Sequence, residues 1–320
     1  MGRSPAIVIK GLVKRFGNIT AVDGLDLEIY DNELFVLLGP NGSGKTTTLL
    51  VISTVYKPTS GDVLVYGYSV AREGDQVRKL IGIAFQEPKA LWMDTPYDIL
   101  LWHALAVGYS LGDARKVVRE VMDELGLWEH RGKMISELSG GTRKKVEVAK
   151  VLIQKPRVAI FDEPTAQLDV VTKHAVWNKI MEMKREGSTI IVATNDMNEA
   201  EKLAERIGII HKGKLRALGT VAQLKDSVPG GDVVELELDS PASPDIQSLL
   251  KEKLRVPDVR VDRASLRLYV NKGEEVLAEA VSLLNSLGYK VKRASLKEPT
   301  LDDVFFYYTG ASLREGVGAS

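Results

Sequence analysis

Two successive patterns of hydrophobic residues divide the chain. Through residue 225, short apolar runs alternate with longer stretches at helical spacing. Ile7-Val8-Ile9, Leu34-Phe35-Val36-Leu37-Leu38, Val158-Ala159-Ile160-Phe161 and Thr189-Ile190-Ile191-Val192 are rich in β-branched residues. Such runs predict the strands of a buried, largely parallel sheet in an α/β domain. Between Trp92 and Trp128 the period changes. Leu100, Leu101 and Leu105, then Val117, Val118, Val121 and Leu125, recur at helical spacing and predict a helical insert over about 88–150. Turn formers at Asp226-Ser227-Val228-Pro229-Gly230-Gly231 mark a linker, 226–231. Residues 232–310 then read as a second, smaller α+β domain. Val233–Leu238 alternates as a strand and Pro244–Leu254 is helical. Val259–Val261 and Leu266–Val270 make a hairpin pair, Glu274–Leu287 is helical, and Tyr289–Leu296 is a strand. That β-α-β-β-α-β order is the ferredoxin-like one. Residues 311–320 read as a polar tail.

Composition narrows the function classes. With 320 residues the chain is long enough for two domains. Its 43 basic and 43 acidic side chains give zero formal charge, which argues against a nucleic-acid partner. There is no cysteine, so disulfides and thiolate chemistry are excluded. No apolar run is long enough to span a bilayer, and MGRSPAIVIKGL lacks a secretory pattern, so the chain is expected to be cytoplasmic.

Two segments carry candidate chemistry. Gly39-Pro40-Asn41-Gly42-Ser43-Gly44-Lys45-Thr46 fits the P-loop pattern G-x-x-x-x-G-K-[ST]. A predicted strand precedes it and a helix-compatible segment follows, which argues against a mere Gly-rich turn with a solvent lysine. Glycines let the backbone wrap a phosphate, and the helix N-terminus adds partial positive charge. Lys45 would bridge the β- and γ-phosphates, Thr46 would ligate Mg²⁺, and Thr47 is next in line for a phosphate oxygen. The second segment is Asp162-Glu163 at the end of an apolar run, before Pro164. Read alone it is equally a solvated strand end. With a P-loop upstream, Asp162 would hold the Mg²⁺ shell through water and Glu163 would polarise an attacking water.

Leu138-Ser139-Gly140-Gly141-Thr142-Arg143, lying between these two segments, completes a combination that resembles the ABC transporter ATP-binding subunits. The resemblance covers residues 1–225 and implies a P-loop NTPase fold of the ABC type, with ATP and Mg²⁺ as ligands. It implies that Ser139, Gly140 and Gly141 reach the nucleotide of a second subunit in a head-to-tail dimer. In isolation the same run is an ordinary helix cap. The resemblance places Phe16 where an aromatic stacks on adenine, although core packing is the plain alternative. Gln86 falls at a loop that contacts Mg²⁺ or the attacking water, against a plain surface glutamine, and Asp169 falls at a loop crossing the dimer seam. Lys297-Glu298-Pro299-Thr300-Leu301-Asp302-Asp303-Val304-Phe305 and Lys57-Pro58-Thr59-Ser60-Gly61 look like motifs of the daunorubicin-resistance-type exporter ATPases. These imply a separate integral membrane permease exporting drugs, lipids or polysaccharides, with this chain peripheral on the inner face of the cell membrane.

Three positions depart from the family pattern. Thr142 replaces a glutamine and Ala166-Gln167 replaces Ser-Gly. Asn195 stands where the family places a histidine against the γ-phosphate. A shorter amide that cannot be protonated is expected to slow turnover while leaving binding intact. The alternative function is a slow or non-hydrolysing, nucleotide-gated regulatory partner in a heterodimer. A soluble ABC ATPase acting on nucleic acid is disfavoured by the single nucleotide domain and zero net charge.

Overall fold

The computed structural model describes residues 4–86, 93–243 and 245–310. Residues 87–92, which include the start of the insert expected from about 88, Pro244, where a helix was expected to begin, and the tail, 311–320, lie outside the described residues. The chain forms two compact units that divide at Leu215/Arg216.

In the first unit come β1 (Pro5–Phe16), β2 (Ile19–Tyr30), β3 (Leu34–Leu38), α1 (Lys45–Ile52), β4 (Ser60–Val65), β5 (Tyr68–Ser69), α2 (Gly74–Arg78) and β6 (Ile81–Ala84). Then follow α3 (Pro96–Ala106), α4 (Leu111–Glu124), α5 (Gly140–Gln154), β7 (Val158–Asp162), α6 (Val170–Arg185), β8 (Thr189–Thr194), α7 (Met197–Leu203) and β9 (Arg206–His211). Strand β10 (Lys214–Gly219) carries the chain across the division. The central sheet has the order β10-β9-β3-β8-β7-β6. The pairs β9/β3, β3/β8, β8/β7 and β7/β6 are all parallel. Every residue of β3, β7 and β8 is buried, which explains their unbroken apolar runs.

Ile7–Ile9 does not join that sheet. It lies in a second, antiparallel sheet of order β2-β1-β4-β5, which the parallel-sheet expectation did not separate. The β1–β2 pair is a hairpin across Gly17-Asn18, a local antiparallel pairing that needs no crossover. Ile7, Leu25 and Val63 of this layer share one core with Leu49 and Ile52 of α1 and with Ile160 and Ile191 of the parallel sheet. The insert is helical as expected, with Leu100, Ala104, Ala114, Val118 and Val146 buried, and α5 runs on to Gln154.

The second unit contains α8 (Val221–Asp226), β11 (Asp232–Leu238), α9 (Ile246–Leu254), β12 (Asp258–Asp262), β13 (Ser265–Val270), α10 (Gly273–Ser286), β14 (Val291–Lys297) and α11 (Leu301–Thr309). Its antiparallel sheet, β12-β13-β11-β14, is the ferredoxin-like arrangement. The unit begins ten residues before the expected boundary at 225/226, because α8 packs on α11. Val234, Leu236, Leu266 and Leu268 form one core with Ile246, Leu250, Ala280 and Leu284 of α9 and α10.

Helix α11 was not anticipated, although Thr300 and Asp303 form a capping box at its start. Asp303 is fully buried, 3.1 Å from Arg267 and 3.2 Å from Lys297. The Asp303→Ala variant leaves Arg267 buried without that partner. It is expected to destabilise this unit by about 3–5 kcal/mol, seen as faster hydrogen exchange of the β11 and β13 amides. Unchanged exchange would contradict the assignment.

Candidate functional site

Parallel strands bring their C-terminal ends to one edge, where α/β sheets present ligand-binding loops. Leu38 of β3 pairs with Thr194 of β8, Asp162 of β7 with Ala193 of β8, and Ala84 of β6 with Phe161 of β7. The segments leaving these strands therefore stand side by side: Gly39–Gly44, Asn195, Asp162-Glu163 and Phe85-Gln86. Four sites far apart in sequence become neighbours through register alone.

The loop Gly39–Gly44 turns directly into α1. Gly44 caps the helix with φ 106°, and a Cβ there would lie 2.5 Å from the Ala21 carbonyl oxygen. At Gly39 a Cβ would meet the Ile210 carbonyl oxygen at 2.3 Å. Both positions thus require glycine, for conformation and clearance at Gly44 and for clearance at Gly39. Ser43 Oγ is buried with no hydrogen-bond partner among the described residues. Pro40, Thr46 and Thr47 are half-buried, while Asn41 and Gly42 are exposed.

Lys45, only 4% exposed, donates to the carbonyls of Gly39 at 2.8 Å and Pro40 at 3.1 Å. Its Nζ lies 3.8 Å from Glu163 Oε1. Burial lowers its pKa, and the charges of Glu163 and Asp162 oppose that shift. The cation is folded onto its own loop, within reach of the space the loop encloses.

Asp162 is buried, and its pKa is raised by that burial, against a hydrogen bond from Thr46. Its Oδ1 has no hydrogen-bond partner among the described residues. Buried oxygens without partners are rare. An unpaired carboxylate oxygen beside a threonine hydroxyl is a donor set suited to a hard cation. Among the described residues no group of three or more His, Asp or Glu side chains could hold a metal ion by itself. A hard cation held here would need further ligands from outside these side chains, as water and phosphate oxygens can supply.

Glu163 adopts φ 49°, a costly conformation for a non-glycine residue. Its N–H is held on the Ala193 carbonyl at 2.9 Å. Its Oε2 accepts from Gln86 Nε2 at 3.2 Å. Asn195 Nδ2 donates to Asn41 Oδ1 at 3.3 Å, so the strand end of β8 touches the glycine-rich loop. Lys45, Thr46, Gln86, Asp162, Glu163 and Asn195 thus form one constellation.

The other sequence-predicted residues lie elsewhere. Ser139 caps α5, accepting from the Thr142 N–H at 3.2 Å. Gly140 and Gly141 abut the next loop, where added Cβ atoms would meet Gln167 Oε1 at 2.6 Å and Leu168 Cδ2 at 2.9 Å. Asp169 caps α6 through Thr172, whose hydrogen bonds hold the carboxyl below its ordinary pKa. Within one chain, none of the hydrogen bonds of Ser139 or Asp169 among the described residues reaches the glycine-rich loop. Phe16 is 42% exposed at the end of β1, edge-on to Tyr56 at 5.2 Å, with Lys14 Nζ 4.9 Å from its ring centre. It is therefore an accessible ring and not a core residue. Sequence reading missed Lys144, a buried lysine that donates to the carbonyls of Gln86 at 2.5 Å and Asp162 at 3.4 Å. Nothing local marks it within the run Arg143-Lys144-Lys145.

Residues 22–166 match the family described as ABC transporter, and residues 219–309 match ATP-binding protein DrrA1-3-like, C-terminal domain. The chain is 33% identical to the daunorubicin/doxorubicin resistance ATP-binding protein DrrA of Streptomyces peucetius, over 95% of this chain and 92% of that protein. It is 29% identical to the linearmycin resistance ATP-binding protein LnrL of Bacillus subtilis strain 168, over 96% and 99% of the two chains. Among solved structures it is similar to the dimeric cassette MJ0796 in a post-hydrolysis state with ADP and Pi. That match has TM-score 0.63 and 26% identity, covering 67% of this chain and 98% of that one.

Proposed function

This chain belongs to the ABC transporter ATP-binding family, in its DrrA-like branch, and from that we propose that it powers a separate membrane permease that exports drugs, lipids or polysaccharides. One observation carries the reading: the register of β6, β7, β8 and β3 gathers Gln86, Glu163, Asp162, Asn195 and the glycine-rich loop on one edge. ATP binds with its phosphates in the loop Gly39–Gly44, against Lys45 and the first turn of α1, where Thr47 faces a phosphate oxygen. Phe16 stacks on the adenine. Thr46 and Asp162 would hold Mg²⁺, with Gln86 beside it, and the ion when bound neutralises charge on the β- and γ-phosphates.

Hydrolysis follows from this chain's own groups. The Glu163 carboxylate orients a water and accepts its proton as the water oxygen bonds to the γ-phosphorus. The bond from that phosphorus to the bridging oxygen breaks, and ADP leaves with the electron pair. Gln86, 3.2 Å away, fixes the carboxylate's direction. Ser139, Gly140 and Gly141 close the site from a second subunit placed head to tail, and Asp169 lines the seam. ATP then favours the closed dimer by differential affinity, and hydrolysis releases it.

Among the described residues no helix is long and apolar enough to cross a membrane. By its family the chain is proposed to sit at the inner face of the cell membrane through its permease. Co-expression with that permease is expected to move it into the membrane fraction, and recovery in the soluble fraction regardless would contradict the assignment.

Asn195 favours a second reading, a slow subunit paired with a faster partner in a heterodimer. One N–H of the amide is tied to Asn41, which sets its direction, and the short side chain limits how far the second N–H reaches toward a phosphate. Asn195→His is expected to raise kcat on the order of tenfold by supplying a longer donor. An unchanged steady-state rate would remove Asn195 as the cause of slow turnover.

A further inference from the structure

One face of α5 carries Lys144, Glu147 and Lys150, three residues apart and therefore stacked along the helix. Lys144 is 6% exposed and Glu147 is not exposed at all. Charges so placed are costly unless each is paired. Lys150 lies 2.6 Å from Glu147 and compensates it. What the two inner residues hold is the short segment leaving β6. Glu147 Oε2 accepts from the Phe85 N–H at 3.4 Å, and Lys144 Nζ donates to the Gln86 carbonyl at 2.5 Å. The same ammonium reaches the Asp162 carbonyl at 3.4 Å.

Phe85 and Gln86 belong to no helix or strand, and Gln86 is exposed. Regular structure does not hold the backbone of Gln86. The ammonium on its main-chain carbonyl does, tying it to the main-chain carbonyl of Asp162 and so setting where the side-chain amide starts on its way to Glu163. We infer that Lys144 is a positioning residue for hydrolysis, holding Gln86 against Glu163. This rests on the roles proposed above for Gln86 and Glu163. It gives α5 two tasks: Ser139 at its N-terminus faces the partner's nucleotide, and Lys144 in its second turn orders the glutamine of its own chain. A lysine is suited to this, since its rotatable donors can satisfy two carbonyls at once.

The test is steady-state ATPase kinetics and equilibrium ATP binding on the full chain. The variants are Lys144→Met, Lys144→Gln, Lys144→Arg, Gln86→Ala and the Lys144→Met/Gln86→Ala double. Lys144→Met is expected to lower kcat roughly ten- to a hundredfold, as loss of orienting groups does elsewhere, with ATP affinity unchanged. Lys144→Arg should recover most of the rate, and Lys144→Gln part of it. The double variant should be no slower than Gln86→Ala alone, because both act through one amide. If Lys144→Met does not fold, Lys144→Gln and Lys144→Arg carry the comparison. Wild-type kcat in Lys144→Met beside a slow Gln86→Ala overturns this inference alone. So do equal losses of binding and rate, or losses that multiply in the double variant. Wild-type kcat in Gln86→Ala overturns the role of Gln86 and this inference with it.

Discussion

Glu163→Gln is expected to abolish steady-state ATP hydrolysis while ATP binding persists. The substitution keeps the shape of the side chain and an oxygen able to accept from Gln86, which lies 3.2 Å away in the native site. The backbone restraint, an N–H on the Ala193 carbonyl at 2.9 Å, is untouched. What disappears is the proton acceptor. General-base catalysis contributes about 10²- to 10⁴-fold, so kcat should fall by at least a hundredfold on that scale. Binding should hold or tighten. Lys45 loses a carboxylate 3.8 Å away, and that negative charge no longer faces the triphosphate. Phosphate release and equilibrium nucleotide binding, measured side by side, check both halves. Turnover within a few-fold of the native chain would place the base elsewhere.

Lys45→Ala is expected to act on binding instead. Lys45 is nearly buried between its own loop carbonyls and two acidic side chains, and burial lowers its pKa against their opposing charges. Removing it leaves Asp162 and Glu163 at the mouth of the phosphate loop with no cation between them and the ligand. Loss of one partner of a buried charged pair costs about 2–5 kcal/mol, which corresponds to a rise in the ATP Kd of roughly thirty- to several thousandfold. Titration of a fluorescent ATP analogue reads this directly. Hydrolysis should vanish at ordinary ATP concentrations as a consequence. A near-native Kd would show that the loop amides alone hold the phosphates.

The contrast between these variants follows from geometry that was partly legible beforehand. Leu34–Leu38 and Val158–Phe161 are unbroken apolar runs because they are buried on both faces, and the chemistry sits where each run stops. The G-x-x-x-x-G-K-[ST] pattern after the first run marked the loop, and that loop upstream singled out the acidic pair at the end of the second. The β-α-β-β-α-β order of the second unit was legible for the same reason, since alternation and helical spacing differ sharply there. Ile7–Ile9 misled because a short apolar run looks alike in either kind of sheet. Only pairing with β2 and β4 shows that it is antiparallel. The division at Leu215/Arg216 was hidden because α8 joins the second unit through α11, a contact far along the sequence. Lys144 was invisible for a related reason. A lysine among basic neighbours reads as solvent-facing, and its burial depends on two carbonyls brought to it by β6 and β7. Asn195 could be recognised as a departure from the family pattern, but its hold on Asn41 belongs to the fold.

In the proposed dimer, Lys45 of one chain and Ser139 of another enclose each ATP. The most direct test is the steady-state Mg-ATPase rate per chain across a wide range of protein concentration. Specific activity is expected to rise with concentration, reach a plateau as dimers form, and be absent at every concentration in Glu163→Gln. ATP binding accompanied by a rate per chain that does not depend on concentration would contradict a hydrolysing homodimer.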